Sequence, residues 1–170
     1  METDKYVFFW GHTPNALGVN IFNQWYPISF VERMDVNTPI IFANAEQYMM
    51  AHKAMLFGDS FNLKKIMETI DPKIIKALGR KINNFDTAIW DNNKFEIVAE
   101  GNRLKFNQNL ILMERLLKTG NKKIVEAAPN DKVWGIGLKK EIAVNLSEDK
   151  WPGQNLLGKA LMVVRSEYRV

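Results

Sequence analysis

The chain has no cysteine among its 170 residues and only two histidines. Without thiols there is no disulfide framework, no thiolate zinc or iron–sulfur site and no cysteine nucleophile. His12 and His52 are too few for a three-histidine zinc centre, and the spacings of zinc hydrolases are missing, so neither a metal nor a cofactor is expected. Long apolar runs are equally scarce. The start METDKYVFFWGH carries two acidic residues and only four consecutive large apolar ones, too short and wrongly flanked for a signal peptide or a membrane span. The expectation is a cytoplasmic protein with no membrane partner. Low-complexity stretches, repeats and Ser/Gly/Pro-rich linkers are also missing, and the six prolines are dispersed as punctuation, which favours one domain over residues 1–170.

The residues that are present give a mixed surface and enough apolar material for a core. At this length about 70% of the unfolded surface can be buried. The charge is +4, from 23 basic against 19 acidic residues, and the lysines are scattered, so most are expected to be solvated. That balance is compatible with a phosphorylated ligand.

The first 42 residues look extended: YVFFW, the turn-rich GHTPNALGVN, then NQWYPISF and TPIIF. Beyond them the signals are helical. Asn44 is an N-cap with Gln47 as capping-box partner, and AEQYMMAHKAMLF runs to Gly58. Ser60 opens a second helix, and Asp71-Pro72 a third that stops at Gly79. After Asp86 a long run extends from TAIWDNNKFEIVAEGNRLKF through NLILMERLLKTG, with Gly101 marking a break or close packing and Gly120 the end. KKIVEAAP reads as a strand, WGIGLKK as a small-residue loop, and the segment from Asn155 to about Arg165 as a helix. The fold class predicted is α+β: a mainly helical domain with a few short strands from the N- and C-terminal parts.

Several groups could carry chemistry. Glu46 and Lys53 are seven residues apart, on nearly the same helix face and about 10 Å apart along the axis, which leaves room for a ligand. Glu46 also lies in the first turn, where the helix dipole favours the carboxylate. In EAAPNDKVWGIG, Glu126 and Asp131 supply carboxylates, Trp134 a flat stacking surface, and Gly135 a close backbone approach. Arg80 follows a helix end and suits phosphate. Arg103 and Lys105 in GNRLKF point to different sides of a helix, so only one can face a pocket comfortably. Asn155 can cap the last helix or bind a ligand. For each of these the alternative is an ordinary surface charge or core residue, and His52 reads as a surface or a hydrogen-bonded residue instead of a catalyst.

Taken in order, the aromatic strand, NAEQYMMAHKA, LGR, RLKF, LLKTG, IVEAAPNDKVWGIG and NLLGKALMVVR resemble the YbiA-like family, also called the NADAR superfamily, from about Phe8 to Arg165. Two segments depart from it: HTPNALGVN, where the family has a phenylalanine-rich piece, and the longer, charged EIAVNLSEDKWPGQN before Asn155.

The resemblance implies an N-glycosidase, a hydrolase that breaks the bond between a ribose carbon and a base. Its substrates would be phosphorylated ribosylamino intermediates of riboflavin synthesis or ADP-ribosylated guanine, as a small molecule or within ADP-ribosylated nucleic acid. It places the catalytic groups at Glu46, Lys53, Asp131 and Lys105, and substrate binding at Trp134, Arg80, Glu126, Gly135 and Asn155. It also implies a lysine that forms a Schiff base with the sugar; Lys53 is preferred because it shares the Glu46 face, with Lys105 second. A non-catalytic module binding ADP-ribose or another nucleotide is the alternative. A nucleic-acid-binding domain is disfavoured by the scattered basic residues. The oligomeric state is left open.

Overall fold

The computed structural model describes residues 1–11, 18–33 and 38–168. His12 and the turn-rich segment that continues to residue 17 lie outside them. The backbone forms two compact units, residues 24–108 and residues 1–23 with 109–170.

The unit of residues 24–108 contains the strands β2 (Phe30–Arg33) and β3 (Pro39–Phe42) and four helices, α1 (Ala45–Leu56), α2 (Ser60–Met67), α3 (Pro72–Gly79) and α4 (Thr87–Asn107). Side-chain caps start each helix. Asn44 Oδ1 accepts the Gln47 N–H at 2.9 Å. Gln47 does not return the bond to Asn44: its Oε1 accepts from the Ala43 N–H at 2.7 Å, and its Nε2 donates to the Ile66 and Thr69 carbonyls at 3.0 and 2.8 Å. The capping box is therefore shifted by one residue and ties α1 to the end of α2. Ser60 opens α2 as expected, with Asp59 before it as the cap. Asp71 caps α3 with Pro72 in its first turn, and Asp86 caps α4.

Helix α4 runs unbroken through Gly101, where close packing is the explanation. A Cβ there would stand 2.5 Å from Tyr48 Cδ1, so the glycine lets α1 lie against α4. The interruption comes instead after Asn107. The next residue, Gln108, turns its amide onto β2, accepting from the Val31 N–H at 2.8 Å and donating to the Val31 carbonyl at 2.7 Å. NQWYPISF is less extended than expected. Pro27 lacks an N–H, and the Ile28 N–H closes a tight turn on the Tyr26 carbonyl at 2.9 Å, so the strand begins only at Phe30. β2 and β3 pair antiparallel, Phe30 opposite Phe42, and both rings pack on Tyr48.

In the other unit, β1 (Tyr6–Phe9) pairs parallel with β4 (Lys123–Glu126), joined by α5 (Leu110–Leu117), a short α6 (Lys140–Ala143) and α7 (Leu156–Glu167). Strands from the two ends of the chain do meet, as a two-stranded sheet of their own. Val7, Phe8, Phe9, Ile124 and Val125 are all buried, so both faces of this sheet are covered, the usual state of parallel strands. The charged segment before Asn155 is not a featureless loop. It holds α6, and Trp151 turns inward onto Phe8 and Tyr6 with its Nε1–H on the Ala143 carbonyl at 3.3 Å. No described helix is long and apolar enough to cross a membrane.

Candidate active site

In the unit of residues 24–108 the site chemistry gathers around the start of α1 and the last turns of α4. Glu46 is in the first turn of α1 and only 3% exposed. Its backbone N–H donates to the Gln24 carbonyl at 3.1 Å. The Gln24 side chain continues the connection: its Oε1 accepts from Asn102 Nδ2 at 3.0 Å. Asn102 stands one turn of α4 before Lys105, on the same stripe of that helix.

Lys105 is wholly buried, and loss of water around its ammonium lowers its pKa from 10.5 to about 7. Its Nζ lies 5.7 Å from the centre of the Tyr26 ring and 5.2 Å from that of Phe106. A large fraction of Lys105 is therefore a neutral amine at physiological pH, which is what a lysine needs to act as a nucleophile. Arg103 and Lys105 divide as their spacing requires. While Lys105 turns inward, Arg103 stays partly exposed and pairs with Glu100.

Lys53 is placed differently from the expectation of a ligand slot shared with Glu46. Its Nζ donates to the Gly79 carbonyl at the end of α3 at 2.9 Å and sits 4.3 Å from the Phe85 ring centre and 5.3 Å from that of Trp90. Partial burial lowers its pKa, but the ammonium is held by a carbonyl dipole and aromatic faces that favour its charged form. Arg80 comes directly after Gly79 and is exposed, with no ion pair among the described residues. His52 bonds Glu32 at 2.9 Å and stacks on Tyr48 at 4.1 Å, a structural role in keeping with its reading.

In the other unit the loop after β4 presents Asp131, Trp134 and Gly135. Asp131 Oδ1 accepts from the Val133 and Trp134 N–H groups at 2.9 and 2.8 Å, which turns the chain and fixes Trp134 at its corner, partly exposed. The Val133, Trp134 and Gly135 carbonyls accept from Leu156, Leu157 and Asn155, each at 3.1 Å. The loop thereby satisfies amides at the start of α7 that have no partner within the helix. Gly135 is required for this fit. A Cβ there would come within 2.9 Å of the Glu126 carbonyl and 3.0 Å of Ala128 Cβ.

Glu126 closes β4 and is 8% exposed. Asn155 takes the N-cap position of α7, but its side chain makes no capping bond. With a left-handed backbone at φ 53° it turns its side chain onto β4, Oδ1 accepting from the Glu126 N–H at 3.0 Å and Nδ2 donating to the Ile124 carbonyl at 2.9 Å. It fixes the position of Glu126.

Gln24, Tyr26 and Asn102 were not expected in this setting. Buried polar residues look like surface ones in a single sequence; the only hint was Asn102 lying three residues before Lys105 in GNRLKF.

Within the unit of residues 24–108, a buried carboxylate and a buried amine near neutrality are groups suited to enzymatic attack on an electrophilic carbon. Comparison with known proteins gives this class a family. Residues 8–169 match the NADAR domain, and the chain belongs to that family. It is similar to an N-glycosidase of Acanthamoeba polyphaga mimivirus, with 60% identity over 98% of both chains. An N-glycosidase of Nostoc punctiforme is 35% identical, over 75% of this chain and 74% of that one. The NMR structure of the E. coli protein YbiA shares the fold at a TM-score of 0.75, with 23% identity over 98% of this chain and 86% of its own.

Proposed function

We propose that this chain is an N-glycosidase that hydrolyses the C–N bond of a ribosylated base, with Lys105 as its nucleophile. The observation that carries the assignment is the complete burial of Lys105 with an amine poised near neutral pH, in a family whose similar members are named N-glycosidases. The neutral amine donates its lone pair to the anomeric carbon. The glycosidic C–N bond breaks, and the base leaves with its electron pair and takes up a proton. The new glycosylamine loses a proton and its ring C–O bond opens, giving a Schiff base and a sugar hydroxyl. Water then adds to the imine carbon, the bond to Lys105 breaks, and the sugar leaves as an aldehyde that recloses.

Positive charge builds on the sugar as the base departs, and Glu46 is the carboxylate assigned to stabilise it. The family resemblance assigns Asp131 and Glu126 to holding or protonating the base and Trp134 to stacking on it. Arg80 is the candidate phosphate contact. Lys53, preferred from its spacing, becomes the second choice because it is only partly buried, whereas Lys105 is wholly buried.

The substrates implied by the family are phosphorylated ribosylaminopyrimidines and ADP-ribosylated guanine. Incubating the protein separately with a ribosylaminopyrimidine phosphate and with ADP-ribosylated guanosine, and assaying free base by chromatography, tests the proposal. Base is expected from at least one, and none from the Lys105→Met variant. Binding of either compound without release of base would make the chain a nucleotide-binding module instead.

A further inference from the structure

Asn102 has no exposed surface, and the orientation of its amide is determined. Nδ2 donates to the Val98 carbonyl at 2.8 Å and to Gln24 Oε1 at 3.0 Å. A backbone carbonyl can only accept, so the nitrogen must face Val98, and both amide hydrogens are committed. The oxygen then points the other way. Oδ1 is buried and makes no hydrogen bond with any described residue. Buried carbonyl oxygens almost always have a partner, because leaving one unmade forfeits the bond it had in water. A fixed acceptor without a donor, one helical turn from the buried amine, is a place prepared for a ligand's donor.

We infer that Asn102 is a substrate-binding residue whose Oδ1 accepts a hydrogen bond from the hydroxyl on the sugar carbon adjacent to the anomeric carbon, so that the site selects ribosides over 2-deoxyribosides. The inference rests on Lys105 being the attacking amine. An amine bonded to the anomeric carbon brings the neighbouring carbon and its hydroxyl within reach of a group one turn away, since side chains three residues apart on a helix stand about 5–6 Å from each other. Contacts to this hydroxyl are the ones that strengthen as a glycosidic bond breaks. The Tyr26 ring beside the Lys105 amine is itself partly exposed. A polar group built to receive a hydroxyl also rejects the analogue that lacks it, because the acceptor is then left buried and unpaired.

The test compares kcat/KM for a riboside substrate and its 2-deoxy analogue in the wild type, Asn102→Ala and Gln24→Met. The deoxy bond is chemically easier to break, so the quantity read is how the ratio changes between variants. Within each variant the ratio is also independent of the folded fraction. Asn102→Ala should lower the riboside preference by about tenfold or more, the size of one hydrogen bond to a developing charge. Gln24→Met keeps Asn102 and its Val98 bond and should leave the preference unchanged. An unchanged ratio in Asn102→Ala, or an equal fall in both variants, would overturn the inference.

Calorimetric titration of the wild type with ribose 5-phosphate and 2-deoxyribose 5-phosphate gives a reading that needs neither turnover nor a variant. Weaker binding of the deoxy sugar by about tenfold is expected, and equal affinities would contradict the assignment. If base is released but the ratios do not move, Asn102 falls and the glycosidase stands. If Asn102→Ala loses the discrimination between the two sugars but no base is ever released, the glycosidase reading falls and Asn102 remains a sugar-binding residue without the placement beside the anomeric carbon.

Discussion

Replacing Lys105 by methionine should abolish turnover and at the same time make the protein more stable. Burial is the origin of both effects. The unfolded chain carries this lysine as an ammonium up to about pH 10.5, whereas the folded chain holds it with a pKa of about 7. A gap of that size corresponds to about 5 kcal/mol of disfavoured charge. Proton counting fixes the sign. Between pH 7 and 10.5 the unfolded state binds a proton that the folded state has given up, so stability rises with pH across this window. Below pH 7 both states are protonated and the destabilisation is complete. Methionine has similar length and no charge, and it loses the polar contacts of the amine, so a net gain of about 2–4 kcal/mol at pH 6 is expected. Urea denaturation of both proteins at pH 6, 7.5, 9 and 10.5 measures it. The gain should shrink steadily and approach zero at the alkaline end. In the wild type, kcat should rise with pH through about 7 as the amine loses its proton, then level off. A Lys105→Met protein less stable than wild type at pH 6, or a gain that does not diminish with pH, would refute the role given to burial.

Other substitutions separate chemistry from scaffolding. Lys53→Met removes the bond to the Gly79 carbonyl and should cost about 1 kcal/mol in thermal or urea unfolding while leaving kcat within about threefold; a complete loss of turnover would return Lys53 to the nucleophile's role. Glu46→Gln should retain the far-UV circular dichroism of the wild type and lower kcat at least ~100-fold. Gly101→Ala forces a methyl group against Tyr48 and should destabilise the fold by about 1–3 kcal/mol, read as a lower urea midpoint. Asn155→Ala strips partners from the Glu126 N–H and the Ile124 carbonyl and should cost about 2 kcal/mol or more, with a larger kcat loss than Gly101→Ala at equal folded fraction because Glu126 loses its anchor.

The starts of α1, α3 and α4 were readable in the chain because they depend on local chemistry, whereas the break between α4 and α5 and the short α6 were not. Asn44, Asp71 and Asp86 bond amides two or three residues away, and glycines and prolines punctuate the segments between helices. The presence of β1 and β4 was equally plain, although both are shorter than YVFFW and KKIVEAAP. Their parallel register, Phe9 beside Glu126, was not, since it joins segments more than a hundred residues apart through tertiary packing. The candidate site divides in the same way. Glu46, Asp131 and Trp134 stand out by residue type and turn chemistry. The choice between Lys53 and Lys105 depends on burial, which the seven-residue spacing of Glu46 and Lys53 cannot report: one lysine meets a carbonyl and two rings at a helix end, the other is closed off from water within α4. Gln24 and Asn102 were silent for the same reason. Only their hydrogen bonds to each other and to the Glu46 and Val98 backbones distinguish them from surface amides.

Catalysis as proposed turns on a covalent link between Lys105 and the sugar. Adding borohydride during turnover reduces any Schiff base to a stable amine, and mass spectrometry of the digested protein locates it. A sugar adduct is expected on the peptide carrying Lys105 and none in Lys105→Met. Release of free base with no adduct anywhere, or an adduct on Lys53 alone, would contradict the assignment of Lys105 as nucleophile.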